Sequence, residues 1–560
     1  MQKLTLATLF LLVFTNLTAQ NFSINHGEEF KIARSKSIPV LLGIDESGIY
    51  MANYRQKRKG FTADYVNLYS LLKYDFNSKP VYDYEYNEGL EKSEVSEILL
   101  FRKKMFLFSH DFNKKEKSLL IYGTTLNKEN GKMNEPLREL INSSTGEGES
   151  LESIFFAPNN DSSQIIITVI FSEKESQRVL QLAYSLDLKK IQSTNINVNQ
   201  PAKYRNLFQI GQTSSGLTIA NIKKFEEQEI GKRRKKNVFT DFSVEAFDGR
   251  GAKTYTISPV RENVFVVNQK IYLGGNDLFI IALYDNSKER KSVKGILLER
   301  YDASKGTLLA SSLQTLPAEL ISDTDGKIKE DKKKKDDDAD ADNGISKNLR
   351  IRSFTMNPVT QKAYVFAEMF SIEGMPYTST TAATGTIPAS SKMYTRLKFT
   401  NSDILLIETD SQFKINHINS LPKKQIQRYD LAGYASVDDA WEEAGTKLSG
   451  TSLDFYSSFA VLPYKDKMIL LMNDNPANGT IVKPGVGAKE LNDLSSCSSY
   501  ALIYDPSTRL FTRKLLFNNS DQPVPLMKNA YMLGNDIFLY AREPHLLKKS
   551  DFKIIKVSIK

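Results

Sequence analysis

Short apolar runs separated by polar turns repeat along the whole chain. Residues 295–311 read GILLERYDASKGTLLAS, in which two apolar runs flank a turn that contains Asp, Ser and Gly. This arrangement predicts a β-hairpin, because Asp, Ser and Gly favour the backbone angles of tight turns. The same unit recurs from Tyr500 and Asp403, and it returns more loosely from Ser70, Gln181 and Phe242.

A second hairpin unit precedes each of these. Residues 271–281 (IYLGGNDLFII) match residues 530–540 (AYMLGNDIFLY), with a Gly-Asn-Asp turn between apolar runs. Looser copies begin at Val40, Ile98, Phe155, Leu207, Phe354 and Phe459. Each copy leads into a third apolar run and then into a turn at residue 75, 127, 187, 248, 302, 410, 505 or near 558. The pattern therefore predicts eight antiparallel units of four strands each.

Regular four-stranded units with little helical periodicity predict an all-β fold, a single β-propeller of eight blades over residues 21–560. Seven blades is the alternative, because the copy around Leu119 is the weakest. The last unit, residues 552–559, reaches the C-terminus without a fourth strand. We expect residues 28–36 to supply that strand, which would close the ring and cover an exposed sheet edge.

Long insertions interrupt the repeats. Residues 221–240, 371–402 and 473–498 join second to third strands, whereas residues 320–348 and 421–457 join one blade to the next. In a four-stranded antiparallel blade both kinds of link lie at the same end, so all five insertions should project from one face. Long loops on a rigid scaffold often carry binding sites.

Aromatic residues in these insertions are the candidate ligand contacts. Tyr377 and Tyr394 lie in one insertion. Trp441, the only tryptophan, lies in another beside Asp439 and Glu442, and an aromatic ring next to acids suits a sugar. The alternative for the tryptophan is an amphipathic helical turn whose ring packs on the scaffold.

The residues from Asp302 to Gly306 form a D-x-S-x-G turn that resembles the blade signature of quinoprotein-like β-propellers. Nearly all of residues 21–560 resembles, in its architecture, secreted bacterial propeller proteins of the quinoprotein-like and WD40-like kinds. Leu308 and Leu309 stand where quinoprotein blades carry a tryptophan, and the Gly-His and Trp-Asp pairs of WD40 repeats are missing. The resemblance therefore implies the architecture without a quinone, and we expect no cofactor.

The N-terminal sequence and the composition of the chain indicate where the protein is located and which kinds of site it can carry. Lys3 followed by apolar residues 4–13 and a small-residue exit predicts a signal peptide over residues 1–20, with the mature protein in the periplasm or outside the cell. We expect no transmembrane segment and a monomer. The single cysteine, Cys497, rules out an intrachain disulfide, and four histidines make a His-based metal centre improbable. A formal charge of +9 suggests a mild preference for anionic surfaces.

Other motifs have plainer interpretations. No G-x-S-x-G elbow is present, and residues 249–254 (GRGAKT) lack the glycine that a phosphate loop needs before its lysine. Residues 336–344 (DDDADADNG) favour a disordered loop over a calcium site, because their spacing departs from that of a calcium loop. The basic run 232–236 favours a solvated loop over a site for lipid headgroups or an anionic glycan, and we expect no nucleic-acid binding.

Two functions stay open at this point. The first is a non-catalytic binding or scaffold module whose partner is an envelope protein or a glycan. The second is an extracytoplasmic hydrolase or lyase that degrades glycan or peptide, which rests on analogy with other propellers alone.

Overall fold

The all-β prediction is confirmed. The computed structural model describes residues 21–32, 40–58, 65–86, 90, 93–159, 161–174, 176–198, 205–229, 235–259, 261–322, 344–381, 390–432, 456–519, 523–543 and 550–560. These residues form 36 strands and a few three-residue 3-10 helices. Of these strands, 28 belong to seven four-stranded antiparallel sheets that follow one another along the chain, which supports the β-propeller prediction.

Two short strands, β1 (Phe22–His26) and β2 (Phe30–Ile32), precede the repeated sheets. Sheet 1 contains β3 (Val40–Asp45), β4 (Gly48–Arg58), β5 (Tyr65–Tyr74) and β6 (Pro80–Glu85). Sheet 2 contains β7 (Glu94–Phe101), β8 (Lys104–Asn113), β9 (Ser118–Leu126) and β10 (Arg138–Ser144). Sheet 3 contains β11 (Ser150–Pro158), β12 (Gln164–Ser172), β13 (Gln177–Ser185) and β14 (Lys190–Val198). Sheet 4 contains β15 (Arg205–Gln212), β16 (Thr218–Glu229), β17 (Lys235–Phe247) and β18 (Lys253–Ile257).

The second half of the chain repeats this arrangement. Sheet 5 contains β19 (Phe265–Gly274), β20 (Asp277–Asp285), β22 (Gly295–Asp302) and β23 (Thr307–Thr315), while β21 (Ser292–Val293) pairs with β24 (Ile345–Ser346). Sheet 6 contains β25 (Leu349–Met356), β26 (Ala363–Thr381), β27 (Ser390–Thr409) and β28 (Ile415–Ala432). Sheet 7 contains β29 (Phe459–Tyr464), β30 (Lys467–Asp474), β31 (Ser498–Asp505) and β32 (Leu510–Asn518). Sheet 8 contains β33 (Val524–Pro525), β34 (Tyr531–Leu533), β35 (Asp536–Glu543) and β36 (Ser550–Ile559), joined by β1 and β2.

Aspartates hold the turns between third and fourth strands. The Asp302 carboxylate accepts a hydrogen bond from the backbone N–H of Ser304 at 2.8 Å, and the Asp505 carboxylate accepts one from the backbone N–H of Ser507 at 2.9 Å. Asp75, Asp248 and Asp410 each accept two such bonds. This local bonding lets aspartate stabilise a turn, and it explains why the residue recurs at these predicted positions.

The hydrophobic core consists of clusters between neighbouring sheets. Phe279 and Val365 belong to a cluster shared by sheets 5 and 6, and Tyr364 and Leu470 belong to one shared by sheets 6 and 7. Corresponding clusters join the other successive pairs. One more cluster, which includes Ile44 of sheet 1 and Phe538 of sheet 8, joins the first and last sheets. Each sheet thus buries apolar side chains on both faces.

The N-terminal segment pairs with the last strand, and this pairing includes residues 30–32 of the predicted strand but begins earlier, at Phe22. Phe22–His26 lies antiparallel to residues 555–559, and Phe30–Ile32 lies opposite residues 550–552. Residues 33–36 of the predicted strand lie outside the described residues. The prediction placed the strand too late because the first five residues, FSINH, are a very short alternating run. Gly27 lies between the two strands. A Cβ atom at this position would lie 1.9 Å from Oγ of Ser78, so a larger residue would not fit there unless its neighbours shifted.

The described residues of the 371–402 insertion, 371–381 and 390–402, form strand rather than the loop that we expected. β26 and β27 continue as a long hairpin, because alternating Thr, Tyr and Met residues favour strand. Residues 221–229 and 235–240 likewise belong to β16 and β17, and residues 473–498 contain the 3-10 helices Pro476–Asn478 and Leu494–Ser496. Most of residues 320–348 and 421–457, including the calcium-loop alternative at 336–344, lies outside the described part of the chain. A shared face for all five insertions stays a prediction.

We predict that Ile24→Asp destabilises the whole chain by about 1–3 kcal/mol, because Ile24 packs against the core between sheets 7 and 8 and its replacement puts a charge there. The matched control is Asn25→Asp, since Asn25 is exposed on the same strand. Urea unfolding of residues 21–560 measures both variants. Equal stabilities for the two variants would show that β1 contributes nothing to the core.

Candidate functional site

A three-stranded projection extends from one end of sheet 6. It consists of residues 371–381 of β26, 390–401 of β27 and 425–432 of β28. Pairing between β25 and β26 ends at Met369, so β26 is an edge strand throughout the projection. This explains how Pro376 fits within a strand, since an edge strand does not need every N–H for pairing.

The two predicted tyrosines lie together on this projection. Tyr377 and Tyr394 are direct cross-strand partners, and their rings stack with centroids 5.6 Å apart and planes inclined by 21°. The guanidinium of Arg396 lies 5.0 Å from the Tyr377 ring centroid. It also forms a two-pronged ion pair with Asp430, with N···O distances of 2.8 and 3.1 Å. The tyrosines are partly exposed and share their face with the half-exposed Met375.

The opposite face of the projection is apolar and covered. Leu397 and Phe399 are fully buried there and cluster with Phe370. The projection therefore has one packed face and one partly exposed aromatic and charged face. The other three predicted contacts, Trp441, Asp439 and Glu442, lie outside the described residues.

A buried ionic cluster lies at the base of the projection. We call it the Glu368 cluster; its members are Glu368, Arg352, Lys423, Lys528, Ser458 and Gln425. Tyr364 and Phe366 on β26 pack into the core between sheets 6 and 7. Because alternate residues of a strand face the same side, Glu368 continues this apolar row as a carboxylate, and it is fully buried.

Hydrogen bonds and ion pairs satisfy the Glu368 carboxylate from three directions. Arg352 Nε lies 2.7 Å from Oε2, Lys423 Nζ lies 2.6 Å from Oε1, and the Ser458 hydroxyl donates to Oε2 at 2.9 Å. Lys423 also donates to Oε1 of Gln425 at 2.7 Å. The Glu368 carboxylate therefore joins three strands of sheet 6, β25, β26 and β28, to the segment before β29.

A β-bulge delivers Arg352 to this position. The register between β25 and β26 shifts between Ile351 and Ser353, which leaves Arg352 as the extra residue. A bulge re-aims the side chain that it carries. The first strands of sheets 1 to 5 contain a bulge too, at residues such as Leu42, Ser96 and Val267. At the bulge in sheet 6 the side chain is a cation.

Burial and neighbouring charges shift the pKa values of the ionisable groups in the cluster. Burial raises the pKa of Glu368, but Lys423, Arg352 and Lys528 outweigh it and hold the pKa at about 2. Burial lowers the pKa of Lys423 despite its contact with Glu368. Burial together with the neighbouring Arg352 lowers the pKa of Lys528 to about 7. Glu368 is therefore ionised at neutral pH, and Lys528 is close to its titration point.

A polar network continues from the cluster into sheets 7 and 8. Gln425 accepts from the backbone N–H of Ser458 at 2.7 Å and donates to the Asn473 carbonyl at 2.5 Å. Asn473 in turn donates to the Pro525 carbonyl at 2.8 Å. Cys497 lies farther along this network, where burial raises the pKa of its thiol to about 12. Such a thiol is a poor nucleophile, because the thiolate is the reactive form.

The opposite end of the sheets carries a cleft of about 610 Å³ between sheets 2 and 3. Its charged lining is largely paired: Lys104 lies 2.7 Å from the Asp187 carboxylate, and Lys128 lies 2.5 Å from Asp45. In the part of the chain that the structure describes, no three His, Cys, Asp or Glu side chains could together hold a metal ion. Nor does any helix among those residues have the length and apolarity to span a membrane.

Sequence reasoning missed the Glu368 cluster, because its charged members come from four separate segments. One signal was present: Glu368 interrupts the apolar run AYVFAEMF. A carboxylate on the buried face of a central strand requires cationic partners. That signal identifies the position of the carboxylate, but it does not identify the partners.

We predict that Glu368→Gln lowers the free energy of unfolding by about 3–5 kcal/mol, because it leaves buried cations without their carboxylate. The matched control is Glu373→Gln on the same strand. Glu373 is exposed in its 3.2 Å pair with Lys398, so the control should cost less than about 1 kcal/mol. Urea unfolding at pH 7 compares the two. A cost for Glu368→Gln no larger than that of the control would contradict the structural role of the cluster.

Comparisons with known proteins give no family. No protein-family model matches the chain, and no curated protein matches it. A polysaccharide lyase aligns with a TM-score of 0.35 and 8% identity, over 93% of this chain and 90% of the lyase. The β-propeller domain of the Trilobed protease from Pyrococcus furiosus aligns with a TM-score of 0.29 and 8% identity, over 71% of this chain and 99% of the domain. Prolyl oligopeptidase B from Galerina marginata aligns with a TM-score of 0.29 and 11% identity, over 64% of this chain, which spans only 38% of that protein. At these TM-scores and identities none of them carries an inference about what this chain binds or catalyses.

Proposed function

We propose that this chain is an extracytoplasmic binding module built on a closed β-propeller of eight blades. Two observations support the closed ring. Successive sheets share apolar clusters, including one between sheets 8 and 1, and the N-terminal strand β1 pairs with β36. The predicted signal peptide supports a location in the periplasm or outside the cell. We expect the protein to act as a monomer.

The ligand that we propose is an envelope glycan, bound on the partly exposed face of the projection. The observation that supports this proposal most directly is the stacked pair of Tyr377 and Tyr394 beside the Arg396–Asp430 ion pair. Aromatic rings offer apolar area with little loss of conformational entropy, and sugar rings present apolar C–H faces to them. The guanidinium and the carboxylate can donate to and accept from sugar hydroxyls. An envelope protein as the partner is the other outcome that the test below admits.

The enzymatic alternative, a glycan or peptide hydrolase or lyase, receives less support from the geometry. A glycosidase needs a carboxylic acid that donates a proton, which requires a raised pKa. The buried carboxyl of Glu368 has the opposite shift, because Lys423 and Arg352 stabilise its ionised form. It therefore stabilises the fold and is unsuited to the role of general acid.

We predict that Tyr394→Ala and Tyr377→Ala each weaken glycan binding about tenfold while the protein stays folded, since a lost ring contact of about 1.4 kcal/mol corresponds to that factor. The measurement is retention of purified residues 21–560 on an array of bacterial envelope glycans, followed by calorimetry with the best-bound glycan. Tyr122→Ala is the matched control, because Tyr122 is a partly exposed strand tyrosine on sheet 2.

Three results would contradict the proposal. Undiminished binding by both folded variants would place the site elsewhere. Absence of binding to every glycan on the array, together with capture of an envelope protein when the same purified chain is incubated with envelope extract, would favour a protein partner. Release of shortened glycan from the array would favour the enzymatic alternative.

A further inference from the structure

All charged side chains of the projection lie on the face that carries Tyr377 and Tyr394, which we call the tyrosine face. Successive residues of a strand point to opposite sides of a sheet, so this face holds alternate residues of β26, β27 and β28. Its charged members are Lys392, Arg396, Lys398, Arg428, Glu373 and Asp430. Four cations against two anions give the described residues of the tyrosine face a net charge of +2.

Each of the two anions on the tyrosine face is already paired with a cation of the same face. Glu373 lies 3.2 Å from Lys398, and Asp430 holds both prongs of the Arg396 guanidinium. Neither carboxylate is therefore free to balance the other two cations.

The two remaining cations are Lys392 and Arg428. Both side chains are exposed, and neither forms an ion pair with another residue in the part of the chain that the structure describes. Arg428 lies directly opposite Lys398 in the register of the sheet, and like charges in opposed positions are destabilising. Lys392 lies opposite Ser379, which offers no charge. The sheet itself therefore leaves these two positive charges uncompensated.

The tyrosine pair lies between the two uncompensated cations. Lys392 is two residues from Tyr394 along β27, which corresponds to about 7 Å. Arg428 lies beside Lys398, which is four residues beyond Tyr394 in the other direction, or about 13 Å along the strand. A single small anion cannot span this length, whereas a chain of sugars that lies along β27 can contact both cations.

We propose that the glycan bound by the tyrosine face is acidic and several sugars long. One sugar ring stacks on the tyrosines, and anionic substituents on the sugars to either side contact Lys392 and Arg428. The substituents are carboxylate, phosphate or sulfate groups, because ammonium and guanidinium groups form charge-assisted hydrogen bonds with all three. This inference rests on the glycan binding proposed above and adds the chemical class of the glycan.

The test compares polymers that share one sugar backbone and differ in charge. The probes are neutral dextran, carboxymethyl dextran, dextran phosphate and dextran sulfate, each titrated onto the immobilised mature chain. We expect at least one acidic dextran to bind at least about fivefold more tightly than neutral dextran at low salt. This preference should shrink as the salt concentration rises from about 0.01 M to about 0.15 M, because salt screens exposed charges.

Removal of the two uncompensated charges provides the matched comparison. The double variant Lys392→Gln with Arg428→Gln should weaken binding of the best acidic dextran at least about fivefold at low salt. The control is Lys189→Gln with Lys190→Gln, which removes the same charge beside the start of β14, at the other end of the sheets. It should bind as the unmodified protein does. All four side chains are exposed, so both double variants should fold.

Polyglutamate separates a glycan site from a patch that binds any polyanion. It carries carboxylates but no sugar ring, so it should bind more weakly than the best acidic dextran. Tyr394→Ala should weaken binding of that dextran about tenfold, because it removes a ring contact. Polyglutamate that binds as tightly as the best acidic dextran would overturn the proposal in favour of a general polyanion site.

The acidic dextran that binds most tightly identifies the anionic group as carboxylate, phosphate or sulfate. Equal binding of neutral and acidic dextrans, or failure of all of them to bind, would overturn this inference. The source of the balancing charge would then be the chain itself, whose acidic residues between 438 and 443 follow β28 in the sequence. Retention of neutral glycans on the array, lost in Tyr394→Ala, would leave the proposed function intact in that case, whereas no retention of any glycan would overturn both.

Discussion

A β-sheet with two apolar faces must be covered on both sides, and this constraint organises the whole chain. On β20, Phe279 and Ile281 pack toward sheet 6, whereas Leu278 and Ile280 pack toward sheet 4. Strand β31 repeats this division between sheets 6 and 8. A sheet at either end of the series would leave one apolar face exposed to water unless another sheet covered it. The cluster between sheets 8 and 1 covers the two faces that would otherwise remain exposed.

The Glu368 cluster is one exception to this apolar rule, and its position explains its importance. It takes up the end of the interface between sheets 6 and 7, directly below the projection. Ion pairs there connect β25, β26 and β28, and the polar network continues to β33 of sheet 8. Removing one member of such a cluster is costly, because it leaves buried charges without their partners.

Much of the fold could be predicted from the sequence, because turn chemistry and alternation are local. Asp302, Asp410 and Asp505 marked their turns correctly, since each side chain bonds to the backbone two residues later. The first strand was placed too late, because pairing with β36 depends on a distant partner. Residues 371–402 were taken for a loop, although their alternation continues the strand pattern.

Of the two candidate sites, one could be predicted from the sequence and the other could not. Tyr377 and Tyr394 were chosen for their residue type and position in an insertion, and the hairpin register brings them together. The cluster around Glu368 could not be predicted from the sequence, because Arg352, Lys423 and Lys528 are brought together only by tertiary packing. A charge in an apolar run shows where a site is needed, but only the fold shows which residues meet there.

We propose that ligand binds at the end of sheet 6 from which the projection extends. Hydrogen–deuterium exchange of the mature protein, with and without the best-bound glycan, tests this proposal directly. We expect slower exchange in residues 371–381 and 390–401, and unchanged exchange in the turns at residues 101–104 and 127–136 at the other end. Slower exchange confined to those turns, or an unchanged projection with bound glycan, would contradict it.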